Sequence, residues 1–168
     1  MDNRKTVLPE KTAIVLIDMQ TMFLTDAKKS IIPNQTEILK FYSKQDIPLI
    51  IIESNGYGAT HYLLEQEIVK FKKYLVRRFS KCENDGFSNQ QLHKHLQQNS
   101  INNLLLTGIN GCACVFDTAL SARAHGYTVM TSKDLLHGFC SEACANARFK
   151  WYSEKGILQD SYKELLVV

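Results

Sequence analysis

Three residues far apart in the chain have side chains whose types could perform nucleophilic catalysis. Cys114 offers a thiol, Asp18 a carboxylate that could accept the thiol proton, and Lys81 a positive charge. A thiol is mostly protonated at neutral pH, so it needs a base or a cation close by to become a nucleophile. Taken singly, Asp18 and Lys81 are better explained as a loop carboxylate and a surface lysine, whereas Cys114 is equally well explained as a buried structural cysteine.

The apolar runs of the sequence predict the strands that would position these residues. Runs without polar alternation at residues 12–17, 48–52, 103–106 and 127–130 indicate strands buried on both faces of a parallel sheet, with a weaker strand at 157–159. Helical spacing predicts helices over residues 37–43, 89–97, 113–125 and 141–155. Alternating strands and helices predict an α/β fold, a three-layer αβα sandwich with a mainly parallel central sheet.

Each of the three reactive residues lies where a predicted strand ends. Asp18 follows the strand 12–17, Lys81 follows the segment VRRF at residues 76–79, and Cys114 lies in the first turn of the helix 113–125. In such folds ligands bind at the carboxyl ends of the strands. A helix N-terminus and a nearby ammonium both favour a thiolate, so we expect the pKa of the Cys114 thiol to be lowered. Gly108 and Gly111 allow a sharp turn before the helix.

Together these segments resemble the isochorismatase-like superfamily of cysteine hydrolases, which includes nicotinamidases and N-carbamoyl-amine amidohydrolases. Its three motifs read D-x-Q followed by F, a lysine followed six residues later by F, and G-[IV]-x4-C-V followed by T-A and G-[YF]. The resemblance runs from residue 12 to about residue 156 and implies that residues 1–168 form a single domain. The matching residues are Asp18, Gln20 and Phe23; Lys81 and Phe87; and Gly108, Ile109, Cys114, Val115, Thr118, Ala119, Gly126 and Tyr127.

The resemblance implies that Asp18, Lys81 and Cys114 form a catalytic triad. Cys114 would attack a carbonyl carbon to give a thioester, Asp18 would be the general base and then the acid, and Lys81 would supply positive charge. The backbone N–H groups of Asn110 and Cys114 would form the oxyanion hole, next to a cis peptide bond between Ile109 and Asn110.

The cysteine favours cleavage of a C–N bond in a small amide, ureide or carbamoyl compound. True isochorismatases, which the resemblance also includes, lack this cysteine and hydrolyse a vinyl ether. Two alternatives stay open: a vinyl-ether hydrolase of that type, and a catalytically silent relative that works as a binding or interaction module. We expect Phe23, Tyr57 and Phe87 to line a small apolar substrate pocket, with packing in the core as the alternative for each.

We expect no cofactor and no metal ion. Nicotinamidases hold a metal with an aspartate and histidines after the second strand, whereas residues 53–61 here contain no D-x-H pattern and His61 as their single histidine. The odd number of cysteines makes a disulfide framework improbable. Their spacing, even together with His137, is not a recognised zinc pattern, and a redox role for the C-x-C pair is disfavoured. The cysteines are Cys82, Cys112, Cys114, Cys140 and Cys144.

The bulk composition indicates a cytoplasmic protein that acts on a small molecule. A net charge of +3 is too mild to argue for nucleic acid. The first residues, MDNRKTVLPEK, are polar and no apolar segment follows, so a secretory signal is not expected. The apolar runs are too short to span a membrane. The resemblance implies a homo-oligomer.

Overall fold

The computed structural model describes residues 8–166. Residues 1–7, which belong to the polar stretch from which the absence of a secretory signal was predicted, and residues 167–168 lie outside the described residues. None of the helices in the described part is long and apolar enough to cross a membrane. The strands are β1 (Thr12–Ile17), β2 (Leu49–Ser54), β3 (Val76–Lys81), β4 (Asn103–Gly108), β5 (Thr128–Ser132) and β6 (Ile157–Gln159). The α-helices are α1 (Ile32–Tyr42), α2 (Tyr62–Ile68), α3 (Gln90–Gln98), α4 (Cys114–Ala124) and α5 (Glu142–Lys155).

The six strands form one sheet in the order β3-β2-β1-β4-β5-β6. Every neighbouring pair is parallel, which confirms the predicted parallel sheet. The chain order reverses between β1 and β4, and an open α/β sheet binds its ligands at the carboxyl end of such a reversal. The topology therefore predicts a ligand site beside the residues that follow Ile17 and Gly108.

Helices cover both faces of the sheet, which confirms the three-layer αβα sandwich. The alternate side chains of β1 enter two different cores: Ile14 and Leu16 pack in one with α1 and α2, and Ala13, Val15 and Ile17 pack in the other with α3, α4 and α5. This burial on both faces explains why β1 is an almost continuous apolar run.

The observed elements differ from the predicted ones mainly at helix starts. Helix α1 begins at Ile32, five residues before its predicted start, because proline is tolerated in the first turn and Pro33 does not end the helix. Helix α2 was not predicted, since its exposed Tyr62 and Leu63 give it no clear apolar face. Helix α5 starts after Ser141 as predicted, and the Ser141 hydroxyl accepts the Cys144 N–H at 3.1 Å.

Candidate functional site

The structure brings Asp18, Lys81 and Cys114 to one cavity at the carboxyl edge of the sheet. Asp18 directly follows β1, Lys81 is the last residue of β3, and Cys114 is the first residue of α4, after β4. The cavity has a volume of about 370 Å³, a size suited to a small molecule. It is lined by Asp18, Phe23, Ser54, Asn55, Tyr57, Lys81, Cys82, Glu83, Asn84, Asn110 and Cys114.

The backbone at the ends of β1 and β4 explains how Asp18 comes close to the loop before α4. Asp18 adopts the left-handed conformation with φ of 52°, which aspartate tolerates better than most residues. Beside it, a Cβ atom on Gly108 would lie 2.1 Å from the carbonyl oxygen of Ile17, so this close approach requires glycine. The same carbonyl accepts the N–H of Ile109 at 3.1 Å, which fixes the β4 end against β1.

Asp18 and Lys81 form a buried ion pair at the floor of the site. Lys81 Nζ lies 2.9 Å from Asp18 Oδ2, and the two side chains are 1% and 3% exposed for the lysine and the aspartate. The Ser54 hydroxyl joins both, since it donates to Asp18 Oδ1 at 3.1 Å and accepts from Lys81 Nζ at 3.2 Å. Lys81 also donates to the Glu83 carbonyl at 3.0 Å. These contacts compensate the desolvation of both charges and hold the carboxylate in place.

The Cys114 thiol is half-buried beside this ion pair. Burial is the largest effect on its pKa, which it raises, and the hydrogen bond to the Asp18 carboxylate and the negative charge of that group raise it further. The Lys81 ammonium and the Asn110 backbone N–H act in the opposite direction without outweighing these effects. The predicted lowering of the thiol pKa is therefore wrong, because burial and Asp18 oppose the helix N-terminus and the lysine. The thiol also lies 3.6 Å from Asn84 Oδ1.

The two backbone N–H groups predicted for an oxyanion hole belong to Asn110, in the loop after β4, and to Cys114, the first residue of α4. The peptide bond between Ile109 and Asn110 is cis. The Asn110 carbonyl accepts the N–H groups of Ala113 and Val115, both at 3.1 Å, which closes the turn. No side chain of Ala113, the residue before α4, caps the helix, and the N–H of Cys114 is one of the four that a helix leaves without an intrahelical acceptor.

Two of the three predicted pocket residues line the cavity and the third does not. The rings of Phe23 and Tyr57 are in contact at a tilt of 33° with centroids 4.6 Å apart, and Tyr57 is 47% exposed at the cavity rim. Phe87 instead packs in the core under α3 and α4 and stacks on His125 at 5.1 Å. Its assignment to the pocket is wrong, because the Asp85 carboxylate accepts the Phe87 N–H and the resulting turn directs the ring away from the site.

Among the polar cavity residues that the sequence reasoning missed, Ser54 and Asn84 contact the triad. Ser54 ends β2 and is the register partner of Lys81 on β3. A polar residue at the carboxyl end of a buried strand was the signal that could have identified it. Asn84 lies in a loop and carries no comparable signal in the sequence.

The acidic and histidine side chains at the end of β2 and after it, Glu53 and His61, are engaged in hydrogen bonds that hold the local structure. The nitrogen Nδ1 of His61 accepts the Leu63 N–H at 3.3 Å and so caps α2. Glu53 Oε1 accepts hydrogen bonds from the backbone and hydroxyl of Thr60 and from Arg78. These side chains hold the loop that forms one wall of the cavity.

A comparison with known protein families decides which family the site belongs to. The family model described as "Isochorismatase domain" matches residues 12–150. The chain belongs to the isochorismatase family. It is 24% identical over 132 residues to isochorismatase family protein 1B of Dictyostelium discoideum. That match covers 76% of this chain, and the chain spans 64% of the relative's length.

Solved structures of a nicotinamidase and an N-carbamoylsarcosine amidase share this fold. A nicotinamidase from Staphylococcus aureus superimposes with a TM-score of 0.79 at 17% identity, covering 89% of this chain and 99% of its own. The N-carbamoylsarcosine amidase of Thermoplasma acidophilum superimposes with a TM-score of 0.75 at 14% identity, covering 88% and 95%. At these identities the likeness is one of fold.

Proposed function

We propose that the protein is a cysteine hydrolase that cleaves a C–N bond of a small amide, ureide or carbamoyl compound through a thioester on Cys114. The observation that carries the proposal is the buried ion pair of Asp18 and Lys81 beside a thiol at the start of a helix, all facing one cavity. The structural likeness to a nicotinamidase and an N-carbamoylsarcosine amidase supports the reaction class.

In the first half of the reaction Cys114 acts as the nucleophile. Its sulfur attacks the carbonyl carbon while Asp18 accepts the thiol proton, and the carbonyl π electrons move onto oxygen. When the tetrahedral intermediate collapses, the C–N bond breaks and Asp18 gives the proton to the leaving nitrogen, which departs as ammonia or an amine. In the second half a water molecule loses a proton to Asp18 and attacks the thioester, and the proton then returns to the sulfur.

The thiol pKa supports general-base catalysis over a preformed thiolate. Burial and Asp18 raise the pKa of the Cys114 thiol, which favours its protonated form at rest. Asp18 must therefore remove the proton as the sulfur attacks. Lys81 and Ser54 keep the carboxylate in one position through their contacts with both of its oxygens. The lysine is in this proposal a positioning residue that also compensates the carboxylate's charge.

The oxyanion of each tetrahedral intermediate is stabilised in this proposal by the backbone N–H groups of Asn110 and Cys114. Both residues line the cavity. The N-terminus of α4 adds a favourable dipole at the same place. The loss of one such donor typically slows turnover about a hundredfold or more.

An ammonia-release screen over small amides, ureides and carbamoyl compounds tests the proposed function. We expect turnover with the wild-type protein and none with Cys114→Ala, while Cys140→Ala, a cysteine outside the cavity, should keep the activity. Mass spectrometry of the quenched reaction should show an acyl adduct on Cys114. Turnover that survives Cys114→Ala, turnover of a vinyl ether alone, or no turnover with any compound would contradict the proposal.

We also propose that residues 1–168 act as one hydrolase domain in the cytoplasm, as a homo-oligomer without a metal cofactor for the hydrolysis. Size-exclusion chromatography with light scattering tests the oligomeric state, and a fluorescent fusion tests the location. A monomer at micromolar concentration would contradict the proposed homo-oligomer. Activity that is lost on chelation and restored by a divalent ion would contradict the metal-free reaction.

A further inference from the structure

Three cysteines that have no part in the proposed hydrolysis form a cluster on the side of the loop before α4. Cys112 lies in that loop, Cys140 precedes α5, and Cys144 lies in the first turn of α5. Their sulfur atoms all lie within 4.8 Å of one another. We call these residues the tricysteine cluster. Its members come from two separate segments of the chain, which is why their spacing in sequence gave no recognised metal pattern.

The separation of the sulfur atoms is close to that of a metal–thiolate site. A tetrahedral zinc ion with Zn–S bonds of about 2.3 Å holds its sulfur ligands about 3.8 Å apart. Each pair in the tricysteine cluster would therefore have to approach by about 1 Å at most, within the reach of side-chain rotation. Thiolates are soft ligands that select zinc and monovalent copper over magnesium or calcium.

The two segments that carry the cluster are packed firmly against each other. The N–H of Gly111 donates to the His137 carbonyl at 2.7 Å, and the Cys112 thiol donates to the Gly138 carbonyl at 3.2 Å. A Cβ atom on Gly111 would lie 2.5 Å from the ring of Phe139. These contacts hold Cys112 beside the segment with Cys140, so little ordering of the backbone would be needed for a ligand to bind.

The surroundings of the cluster suit an anionic metal–thiolate group. Three thiolates and one divalent ion carry a net charge of −1. Arg148 lies one turn after Cys144 on α5, and its Nη2 is 3.5 Å from the Cys112 carbonyl. Its guanidinium also stacks on the Phe116 ring at 3.8 Å, which keeps the positive charge near the cluster. Within residues 8–166 no fourth His, Cys, Asp or Glu side chain joins the three thiols, so water would take the fourth position on a metal ion.

We propose that the tricysteine cluster binds a thiophilic metal ion, Zn²⁺, through three thiolates, with water as the fourth ligand. Binding releases the three thiol protons to the solvent and forms three Zn–S bonds. The site is distinct from the cavity with Cys114, and its occupancy can be measured without a substrate. A failure of the hydrolase proposal would therefore leave this proposal standing, and the reverse also holds.

The test is metal binding by the full-length protein, reduced and freed of metal beforehand. We expect one Zn²⁺ per chain after gel filtration, and with Co²⁺ a thiolate-to-metal charge-transfer band. Cys140→Ser is the informative variant, because this cysteine is exposed and lies outside the helices, so the change should not affect folding. It should weaken Zn²⁺ binding more than tenfold, since even groups that only support metal ligands are worth about 10–100-fold.

Two further variants make the result specific. Cys144→Ser should weaken binding in the same way, whereas Cys82→Ser, the other exposed cysteine, should bind Zn²⁺ like the wild type. Circular dichroism checks that each variant is folded. The proposal is overturned if the wild type retains no Zn²⁺, if Cys140→Ser binds as tightly as the wild type, or if Cys82→Ser loses binding to the same extent.

Discussion

The substitution Asp18→Asn separates the two effects that the structure assigns to this carboxylate. Asparagine keeps an oxygen that can accept the Ser54 hydroxyl, but it cannot take up the thiol proton. A general base typically contributes about 10²–10⁴-fold to the rate, so we expect kcat to fall by that factor. The same change removes the hydrogen bond and the charge that raise the pKa of Cys114, so the thiol pKa should fall.

Loss of folding cannot account for a decrease of this size. Breaking a buried ion pair costs about 3–5 kcal/mol, against about 5–15 kcal/mol of total stability for a typical domain. About 2 kcal/mol of remaining stability keeps about 97% of the molecules folded, and even with none remaining about half stay folded, which lowers kcat only about twofold. A hundredfold fall in kcat with a native circular dichroism spectrum would therefore report the chemistry of the site.

The assay compares the rate of turnover with the rate at which iodoacetamide alkylates Cys114. Alkylation is carried out in the presence of a chelator and is followed by mass spectrometry. Turnover uses the best substrate of the ammonia-release screen. At a fixed pH below the thiol pKa, alkylation of Cys114 should be faster in Asp18→Asn than in the wild type. More of the thiol is then ionised, and the lower basicity of the thiolate offsets only part of this gain.

The matched control is Asp26→Asn, a change of the same kind at a fully exposed side chain, which should leave both rates unchanged. Opposite changes of the two rates in Asp18→Asn are the signature of a carboxylate that holds the thiol proton. If turnover stays within threefold of the wild type, the assignment of Asp18 as the general base is refuted. If alkylation becomes slower, the effect of Asp18 on the pKa of Cys114 is refuted.

Three further predictions concern the residues around the triad. Gly108→Ala should lower the free energy of unfolding by about 4 kcal/mol or more, because its Cβ would lie 2.1 Å from the Ile17 carbonyl. The control Gly126→Ala, where the added atom meets nothing, should lower it only by the strain of a positive φ, about 1–2 kcal/mol. Urea denaturation measures both, and similar losses in the two variants would contradict the close approach. Ser54→Ala removes the hydroxyl that bridges the ion pair, so it should destabilise the protein by about 1–3 kcal/mol and lower kcat more than it raises KM, as steady-state kinetics can show; an unchanged kcat would speak against this bridge. Tyr57→Ala opens the rim of the cavity and should raise KM with little effect on kcat, and a fall in kcat alone would place the ring in the chemistry instead.

The sequence predicts those parts of the fold that are determined by local pattern. Strand β1 was predicted with its observed bounds because both of its faces are buried. The start of α5 was predicted from Ser141, which caps its own helix, and its end from Gly156. The alternation of strands and helices predicted the class of fold but not the order of the strands in the sheet. Its particular register depends on contacts between distant segments.

The parts of the site that the sequence did not predict depend on tertiary packing. The position of Phe87 depends on the turn at Gly86, whose N–H donates to the Thr118 hydroxyl of α4 at 2.8 Å. Nothing in the local spacing tells which layer of the sandwich the ring will enter. The pKa of Cys114 likewise depends on its burial and on Asp18, which is about a hundred residues away in the chain. Local features, the helix N-terminus in particular, predicted the opposite direction.

The residues at the floor of the site lower the stability of the fold, and this cost in free energy is itself an argument for function. A buried ion pair such as that of Asp18 and Lys81 can often be replaced by apolar residues without loss of stability. Asp18 adds the strain of a positive φ, and Gly108 gives up a side chain where β4 meets β1. All three costs fall at the carboxyl edge of the sheet, around the end of β1. Packing of a three-layer sandwich needs none of them, whereas a carboxylate held in one position beside a half-buried thiol needs them all.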